Sequence, residues 1–218
     1  MCIRDSYKPV GWTSFDVVKK IKGITRESKV GHAGTLDPFA EGVLIIGTGK
    51  DTKKLSDISS TAKSYRATLK LGETTETLDN EGPIIKTNDI PDFDKLKVEK
   101  VLLSFKGNYI QTPPMFSAKR VNGVRLYKLA RKNIKVSRVP IQLEILDITL
   151  NNCTDNEIDF SVTCSKGTYV RVLGQDIAIK LKTIGYLTKL VRIKVGPYMV
   201  DDSTSIKSFE EEWKSIDH

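Results

Sequence analysis

The chain reads GHAGTLDPFAEGVLII from residue 31 to residue 46, which places the carboxylate of Asp37 among three glycines and a proline. Glycine and proline are poorly tolerated inside strands and occur where the backbone turns sharply or approaches a ligand. The segment therefore predicts a loop that presents Asp37, followed by a fully buried strand at Val43–Ile46. Spacing alone leaves two interpretations open, a catalytic or ligand-holding carboxylate and a turn aspartate that bonds its own backbone.

The composition predicts a globular protein with one large domain or two small ones, because 218 residues leave room for a sizeable core. No apolar run approaches the ~20 residues of a membrane helix, and we expect no signal peptide. The cysteines Cys2, Cys153 and Cys164 are odd in number and form no Cys-x-x-Cys pair. With only His32 and His218 besides, we expect no metal site and a reduced, cytoplasmic setting, with Cys164 as a small core residue.

The net charge of +8 is concentrated in one segment. Residues 115–143 contain no Asp or Glu, and their eight basic residues equal the whole formal net charge. They are Lys119, Arg120, Arg125, Lys128, Arg131, Lys132, Lys135 and Arg138. A solvated lysine-rich face is one explanation, but the absence of acids favours a polyanionic partner.

Hydrophobic periodicity predicts a chain of strands with interspersed helices. Helices are predicted at Thr13–Ile24 with a capping box to Asp16, Thr52–Ile58, Leu96–Phe105, Arg125–Lys132, Val172–Leu181 and Ile206–Trp213. Strands are predicted at Val43–Ile46, Tyr65–Leu71, Ile141–Leu150 with a bulge at Leu146, Ile158–Cys164 and Val191–Val195, and a polar loop at Gly72–Gly82. This alternation predicts the mixed α+β class, a single sheet flanked by helices.

The segment around Asp37 also resembles the signature of the TruB-type tRNA pseudouridine-55 synthases. Four further segments, residues 8–14, 65–66, 111–131 and 165–171, resemble motifs of the same family, so that the resemblance runs from about Lys8 to Tyr198. It implies the pseudouridine synthase fold, a central, mostly antiparallel sheet flanked by helices. It also implies a catalytic domain at 1–200 with a basic, RNA-gripping insertion at about 108–140, and a short acidic tail at 201–218.

The resemblance implies an enzyme that isomerises uridine 55 in the T-loop of tRNA to pseudouridine. No cofactor is expected, because nothing is oxidised and no group leaves. Asp37 would be the catalytic carboxylate, acting as nucleophile or as base, with Arg171 as the cation that keeps its pKa low. Tyr65 would stack on the flipped-out base and take part in removing the C5 proton.

Further residues carry substrate-binding roles by the same resemblance. His32 would enter the RNA at the flipped-out site, Tyr169 and Leu190 would line the pocket, and Lys8 would support the active-site loops. The residues expected to contact phosphates are Lys119, Arg120, Arg125, Lys128, Arg131 and Lys132. Outside the motifs, the two tyrosines and Leu190 would be interpreted as core residues, and Lys8 and Arg171 as surface residues.

Two departures from the family pattern affect these expectations. Ser6-Tyr7 stand where the family usually has an apolar residue and an Asp, so the family's first strand is not predicted here and the native N-terminus is expected to be missing or misread. Many family members continue into a C-terminal RNA-binding domain; we expect none here, so affinity would rest on the insertion.

The expected partner is the T stem-loop of tRNA, bound by a monomer without membrane or guide RNA. One alternative is a non-catalytic RNA stem-loop binder or folding chaperone, although a pure binder does not need a paired Asp37 and Arg171. A third interpretation is the guide-RNA-dependent branch related to dyskerin. The bacterial-type insertion and the short tail argue against that branch.

Overall fold

The structure is a computed structural model that describes residues 3–216, so Cys2 and His218 lie outside the described residues. The chain forms two compact units. Unit 1 consists of the residues up to Tyr65 together with those from Leu190 onward, and unit 2 consists of Arg66–Lys189.

Fourteen strands and six α-helices make up the described residues. The strands are β1 Ile3–Lys8, β2 Val30–Ala33, β3 Glu41–Thr48, β4 Lys63–Leu71, β5 Glu73–Thr75, β6 Ile84–Thr87, β7 Gly107–Gln111, β8 Arg120–Val121, β9 Val124–Arg125, β10 Ile141–Cys153, β11 Glu157–Cys164, β12 Gly185–Val195, β13 Tyr198–Met199 and β14 Thr204–Ser205. The helices are α1 Ser14–Thr25, α2 Leu55–Ser60, α3 Lys95–Leu103, α4 Leu126–Ala130, α5 Val170–Lys180 and α6 Ile206–Ile216, and a 3-10 helix covers Gly49–Lys54.

In unit 1 the strand order is β14-β1-β3-β12, with β2 paired to β3 and β13 paired to β12. Strands β1 and β3 are antiparallel, whereas β12 runs parallel to β3 with Arg192 opposite Gly42. Helices α1 and α6 cover one face of this sheet, because Val17, Ile21 and Phe209 are buried in one core cluster with Leu44 of β3. The sheet thereby presents the loop between β2 and β3, which carries Asp37.

In unit 2 the strand order is β12-β4-β11-β10-β7, and the β11–β10 and β10–β7 pairs are antiparallel. The pairs β5–β6 and β8–β9 form two separate two-stranded sheets. The register of β10 against β11 shifts between Ile145 and Asp147, so the bulge predicted at Leu146 is confirmed. The mixed α+β class and the mostly antiparallel central sheet are confirmed as well.

Local signals in the sequence explain several element boundaries. The Thr13 hydroxyl accepts a hydrogen bond from the Asp16 amide at 3.1 Å, and the Asp16 carboxylate accepts one from the Thr13 amide at 2.8 Å, which is the predicted capping box. Strand β4 buries every second residue from Lys63 to Leu71, and Cys164 is buried as expected. None of the helices within residues 3–216 has the length and apolar composition needed to span a bilayer.

Two element predictions are wrong. Residues 72–82 are not wholly loop, because β5 pairs there with β6; its short polar sequence hides a strand from periodicity. The basic helix is limited to α4, and Arg125 belongs to β9. Asn122 and Gly123 both have positive φ, 49° and 79°, which closes a two-residue β8–β9 hairpin ahead of the helix.

The first strand, which was not predicted, is formed. Strand β1 pairs with β3 from Ile3 to Lys8. Ser6 is buried, and the Tyr7 hydroxyl donates a hydrogen bond of 2.7 Å to the Glu41 carboxylate. Burial and the neighbouring Glu41 raise the pKa of Tyr7 to about 12, so the phenol stays a donor.

Candidate active site

The loop that carries Asp37 is fixed by contacts with residues 8–14. Lys8 is fully buried, and its ammonium donates hydrogen bonds to the carbonyl oxygens of Pro9 at 2.9 Å and Pro38 at 3.2 Å, and also to Trp12. The Gly11 amide donates to the same Pro38 carbonyl at 2.8 Å. Lys8 therefore contacts the loop from a fully buried position.

The residue on the other side of Asp37 is held as firmly. The buried Ser14 hydroxyl accepts a hydrogen bond of 2.8 Å from the Leu36 amide and donates one of 3.2 Å to the Leu36 carbonyl. The Ala40 amide bonds the Asp37 carbonyl at 3.1 Å and closes a turn. Asp37 itself is half-buried. Main-chain contacts thus position this carboxylate from both neighbours.

A buried arginine lies behind the loop. Arg192 of β12 is 1% exposed, and its guanidinium donates to the carbonyl oxygens of Val43 at 2.8 Å and Gly34 at 3.1 Å. Tyr65 hydrogen-bonds to Arg192, and the Asp37 carboxylate acts on it electrostatically. Burial lowers the pKa of Arg192, while Tyr65 and Asp37 favour its charged form.

The glycines of the signature make room for this arginine. A Cβ at Gly42 would stand 2.3 Å from the carbonyl oxygen of Arg192, and Gly42 has a φ of 108°. Gly34 has a φ of 87°, and a Cβ there would stand 3.4 Å from the Arg192 guanidinium. The segment that presents Asp37 is therefore built around Arg192.

Sequence reasoning missed Arg192. The predicted strand placed Val191, Ile193 and Val195 on the apolar face and left residue 192 on the polar face. The opposite face of the strand is in fact covered too. Leu190 and Arg192, two residues apart, both lie on that face and are 5% and 1% exposed. One sequence signal could have indicated this burial: Arg192 follows Leu190, a predicted pocket residue, by two positions in the same strand.

The other predicted residues of unit 1 lie on neighbouring strands. Tyr65 on β4 is 9% exposed, and Leu190 on β12 is nearly fully buried. His32 on β2 is half-buried. Burial and the charge of Arg192 lower the pKa of His32, and they outweigh a backbone hydrogen bond with Gly34 that raises it. Unit 1 thus contains Lys8, His32, Asp37, Tyr65 and Leu190, all flanking the β2–β3 loop or the strands next to it.

Unit 2 contains the second predicted tyrosine, Tyr169, at the start of α5. The buried amide of Gln111 accepts a hydrogen bond from the Tyr169 amide at 2.9 Å and donates one to its carbonyl at 3.1 Å. The same Gln111 nitrogen contacts the Tyr109 hydroxyl at 3.0 Å. This glutamine was predicted only as the start of the basic segment, and the structure gives it a positioning contact.

Arg171, predicted by the resemblance to be the cation beside Asp37 and otherwise a surface residue, is 3% exposed. Its guanidinium forms an ion pair with the buried Asp79 at 3.1 Å and donates a hydrogen bond of 2.8 Å to the Phe116 carbonyl. It also bonds the Thr77 carbonyl. Arg171 therefore ties the segment before β6 to the start of the basic insertion.

The basic segment projects its charges outward. Leu126 and Ala130 of α4 are buried, whereas five of the six predicted phosphate contacts are exposed and Lys119 is half-buried. None of the six forms an ion pair with a described residue, and the Arg131 guanidinium stacks 5.5 Å from the Tyr127 ring centre. The Phe116 contact and an Arg138 bond of 3.0 Å to the Pro113 carbonyl anchor the base of the segment.

Within residues 3–216, no three His, Cys, Asp or Glu side chains lie close enough together to hold a metal ion.

Comparison with known proteins supports this arrangement of motifs. Residues 22–170 match the TruB family pseudouridylate synthase (N terminal domain). Relatives named tRNA pseudouridine synthase B include those of Syntrophotalea carbinolica, 44% identical over 93% of this chain, Clostridium tetani, 45% over 94%, and Phocaeicola vulgatus, 44% over 94%. The chain covers 66%, 71% and 89% of these three relatives, so it spans about two thirds of the first.

Solved structures share the fold. A Cbf5-Nop10-Gar1 complex contains a chain that is 25% identical with a TM-score of 0.78, covering 99% of this chain and 56% of that one. An H/ACA RNP bound to a substrate RNA containing 2'-deoxyuridine gives 23% identity and a TM-score of 0.73, with coverage of 99% and 55%. The fold is therefore shared with the matched chains of both complexes. The family match and the relatives go further, and the chain belongs to the TruB family of pseudouridylate synthases.

Proposed function

We propose that this protein isomerises the uridine at position 55 of the tRNA T-loop to pseudouridine, with Asp37 as the catalytic carboxylate. One observation carries the proposal: the loop of Asp37 is clamped on both sides by residues 8–14 and backed by the buried cation of Arg192. Bonds of this number to the main chain beside one half-buried carboxylate are typical of a pre-organised site. The relatives named tRNA pseudouridine synthase B support tRNA as the substrate.

The reaction balances without a cofactor. The glycosidic bond from C1′ to N1 breaks, the uracil turns, and a new bond forms from C1′ to C5. The proton leaves C5 and N1 gains one, so the product is an isomer of the substrate. Asp37 serves this exchange as a nucleophile or as a base, and both roles require an ionised carboxylate.

Unit 1 supplies the groups around the reacting base in this proposal. The ring of Tyr65 stacks on the extruded uracil, Leu190 closes the pocket, and His32 enters the RNA where the base has left its stack. Arg192 holds a positive charge behind Asp37 and favours its ionised form. Lys8 contributes by fixing the loop rather than by touching RNA.

Unit 2 supplies further substrate contacts. Tyr169, held by Gln111, is proposed to contact the substrate, and Arg171 keeps the role of a cation that the resemblance implies. The exposed lysines and arginines of residues 119–132 contact phosphates of the T stem without reading sequence. Their lack of acidic partners among the described residues supports that role.

The proposed partner is tRNA alone, bound by a monomer in the cytoplasm. Relatives at 44–45% identity carry tRNA in their names, whereas the structures with Cbf5 and H/ACA titles reach 25% and 23%. The guide-RNA-dependent interpretation is therefore the weaker one. The alternative is a non-catalytic stem-loop binder, and the experiment must distinguish it from an enzyme.

Tritium release tests the proposal. A T-arm stem-loop with tritium at C5 of its uridines is incubated with the protein, and tritium in water is counted, because forming the new bond expels the C5 proton. We expect stoichiometric release from one uridine and none with Asp37→Asn. Binding without release from the unaltered protein would favour the stem-loop binder.

A further inference from the structure

A groove on unit 1 runs along α1 and reaches His32. Its volume is about 790 Å³. We call it the α1 groove, and the lining residues that matter are Phe15, Lys19, Lys22, Lys29, His32 and Leu55. Only His32 among them belongs to the site described above.

One face of α1 supplies an aromatic ring and two cations. Phe15, Lys19 and Lys22 stand at positions i, i+4 and i+7, so their side chains follow one another along the helix. From Phe15 to Lys22 the axial distance is roughly 10 Å at the usual rise per residue. Phe15 is 69% exposed, although it is a large apolar side chain, and both lysines are exposed.

The lysines of the α1 groove are not neutralised by ion pairs, although Asp16, which does not line the groove, interacts electrostatically with Lys19. Lys19, Lys22 and Lys29 form no ion pair with any described residue, and no acidic residue lines the groove. A larger groove on the other side of α1 differs, because there Glu210 pairs with Lys20 at 2.5 Å and with Lys214 at 3.2 Å. Three lysines beside one exposed ring are the pattern of a surface for single-stranded nucleic acid.

His32 connects the α1 groove with the catalytic loop. Its Nδ1 atom is buried and has no hydrogen-bond partner within residues 3–216. A buried polar atom of this kind normally has a partner, so the imidazole is not fixed in place by a bond at this atom. Two residues later, the Gly34 carbonyl contacts Arg192, the buried cation beside Asp37.

We propose that the α1 groove binds the single-stranded RNA adjacent to the target uridine. A base stacks on Phe15, and phosphates contact Lys19, Lys22 and Lys29. The inference rests on the proposed function, since it takes the substrate to be RNA. It adds a second contact surface, on unit 1, to the basic segment of unit 2.

Equilibrium binding of a T-arm stem-loop at several salt concentrations tests the α1 groove. The variants are Phe15→Ala and the triple variant Lys19→Gln, Lys22→Gln, Lys29→Gln. The matched control is Lys86→Gln, Lys97→Gln, Lys100→Gln, which removes the same charge from exposed lysines outside the groove. Thermal unfolding of each variant checks that these surface changes leave the fold intact, and tritium release from the unaltered protein runs in parallel.

The triple variant should lower the slope of log affinity against log salt by about 2, three contacts at ~0.7 each, whereas the control should lower it by much less. Phe15→Ala should weaken binding roughly 5- to 150-fold, the equivalent of ~1–3 kcal/mol of stacking, with the salt slope unchanged. If the unaltered protein releases tritium but the triple variant binds like its control, the proposal for the α1 groove is overturned and the proposed function is not. An unaltered protein that neither binds nor isomerises the stem-loop would overturn both proposals.

Discussion

At the scale of single residues, Asp37 owes its position to the backbone on either side of it. Ser14 holds Leu36, while Gly11 and Lys8 hold Pro38, so the backbone on both sides of the carboxylate is fixed. The turn interpretation and the catalytic interpretation of the loop are therefore compatible. The turn is closed by a main-chain hydrogen bond from the Ala40 amide to the Asp37 carbonyl, so it does not depend on the carboxylate.

Arg192 gives a prediction that separates electrostatics from folding. Arg192→Gln removes the charge behind Asp37, so the pKa of that carboxylate should rise and the acidic limb of the pH–rate profile should move to higher pH. The free energy of unfolding should fall by about 3–5 kcal/mol, because the carbonyl oxygens of Val43 and Gly34 lose their charged hydrogen-bond donor.

The conservative Arg192→Lys variant is the control. A lysine cannot reproduce the forked bonds to Val43 and Gly34, yet it keeps a positive charge. We expect it to lose stability while its acidic limb stays near that of the unaltered protein. An acidic limb that does not move in Arg192→Gln would contradict the electrostatic role.

His32 offers a titration with little overlap, since the chain has only two histidines. Burial and the charge of Arg192 lower the pKa of His32 below its ordinary value of 6.5. A base whose pKa is lower in the folded state disfavours folding once it must be protonated. The contribution to stability is therefore complete above pH 6.5 and is lost as pH falls toward the folded pKa.

NMR of the imidazole protons against pH measures this directly. One histidine should titrate below 6.5, and that resonance should be missing in His32→Gln. The same variant should show a flatter loss of unfolding free energy between neutral and acidic pH. A His32 that titrates at or above 6.5 would show that the ring is not buried beside Arg192.

At the scale of elements, residues 8–14 act as a clamp on the catalytic loop. Lys8→Met keeps the length of the side chain and removes the donor to the Pro9 and Pro38 carbonyls. Charge-assisted hydrogen bonds contribute ~1.5–3 kcal/mol each, so unfolding free energy should fall by about 3 kcal/mol.

Turnover by Lys8→Met should fall more steeply than RNA affinity, because Lys8 is buried and touches the loop instead of solvent. The matched variant is Lys20→Met, which breaks only an exposed ion pair to Glu210 and should cost ~1 kcal/mol or less. Denaturant unfolding and tritium release give both quantities. Equal effects of the two substitutions would rule out a clamp.

The basic segment gives the second prediction at this scale. Charge reversal of Arg125, Lys128 and Arg131 to Glu should weaken binding of the T-arm stem-loop and lower the salt slope by about 3, at ~0.9 per duplex phosphate. Charge reversal of Lys86, Lys97 and Lys100 controls for net charge. If the salt slope matches that of the control, this segment does not contact the phosphates.

At the scale of the whole molecule, hydrophobic periodicity and short motifs predicted those elements whose signal is local in the sequence. The strand of Tyr65, the helix capped by Thr13 and the bulge at Leu146 all follow from local patterns. The β8–β9 hairpin was missed although Asn122-Gly123 is a strong turn signal, because the basic spacing was interpreted as helical.

The deeper omission was the environment of charged residues. Arg171, Arg192 and Lys8 are all buried, and each bonds backbone carbonyls distant in sequence. Periodicity places a charged residue on the polar face of an element, whereas burial depends on which elements cover that face. Without the family motif, the sequence therefore favoured a surface position for Arg171, and it gave no role to Arg192.

Mapping pseudouridine at nucleotide resolution in a whole tRNA transcript tests the central claim most directly. The transcript is incubated with the unaltered protein, with Asp37→Asn, or with the exposed control Asp202→Asn. We predict one pseudouridine at position 55 with the unaltered protein and the control, and none with Asp37→Asn, whose RNA affinity stays within about tenfold, ~1.4 kcal/mol. Modification by Asp37→Asn, or its absence with the unaltered protein, would contradict the claim.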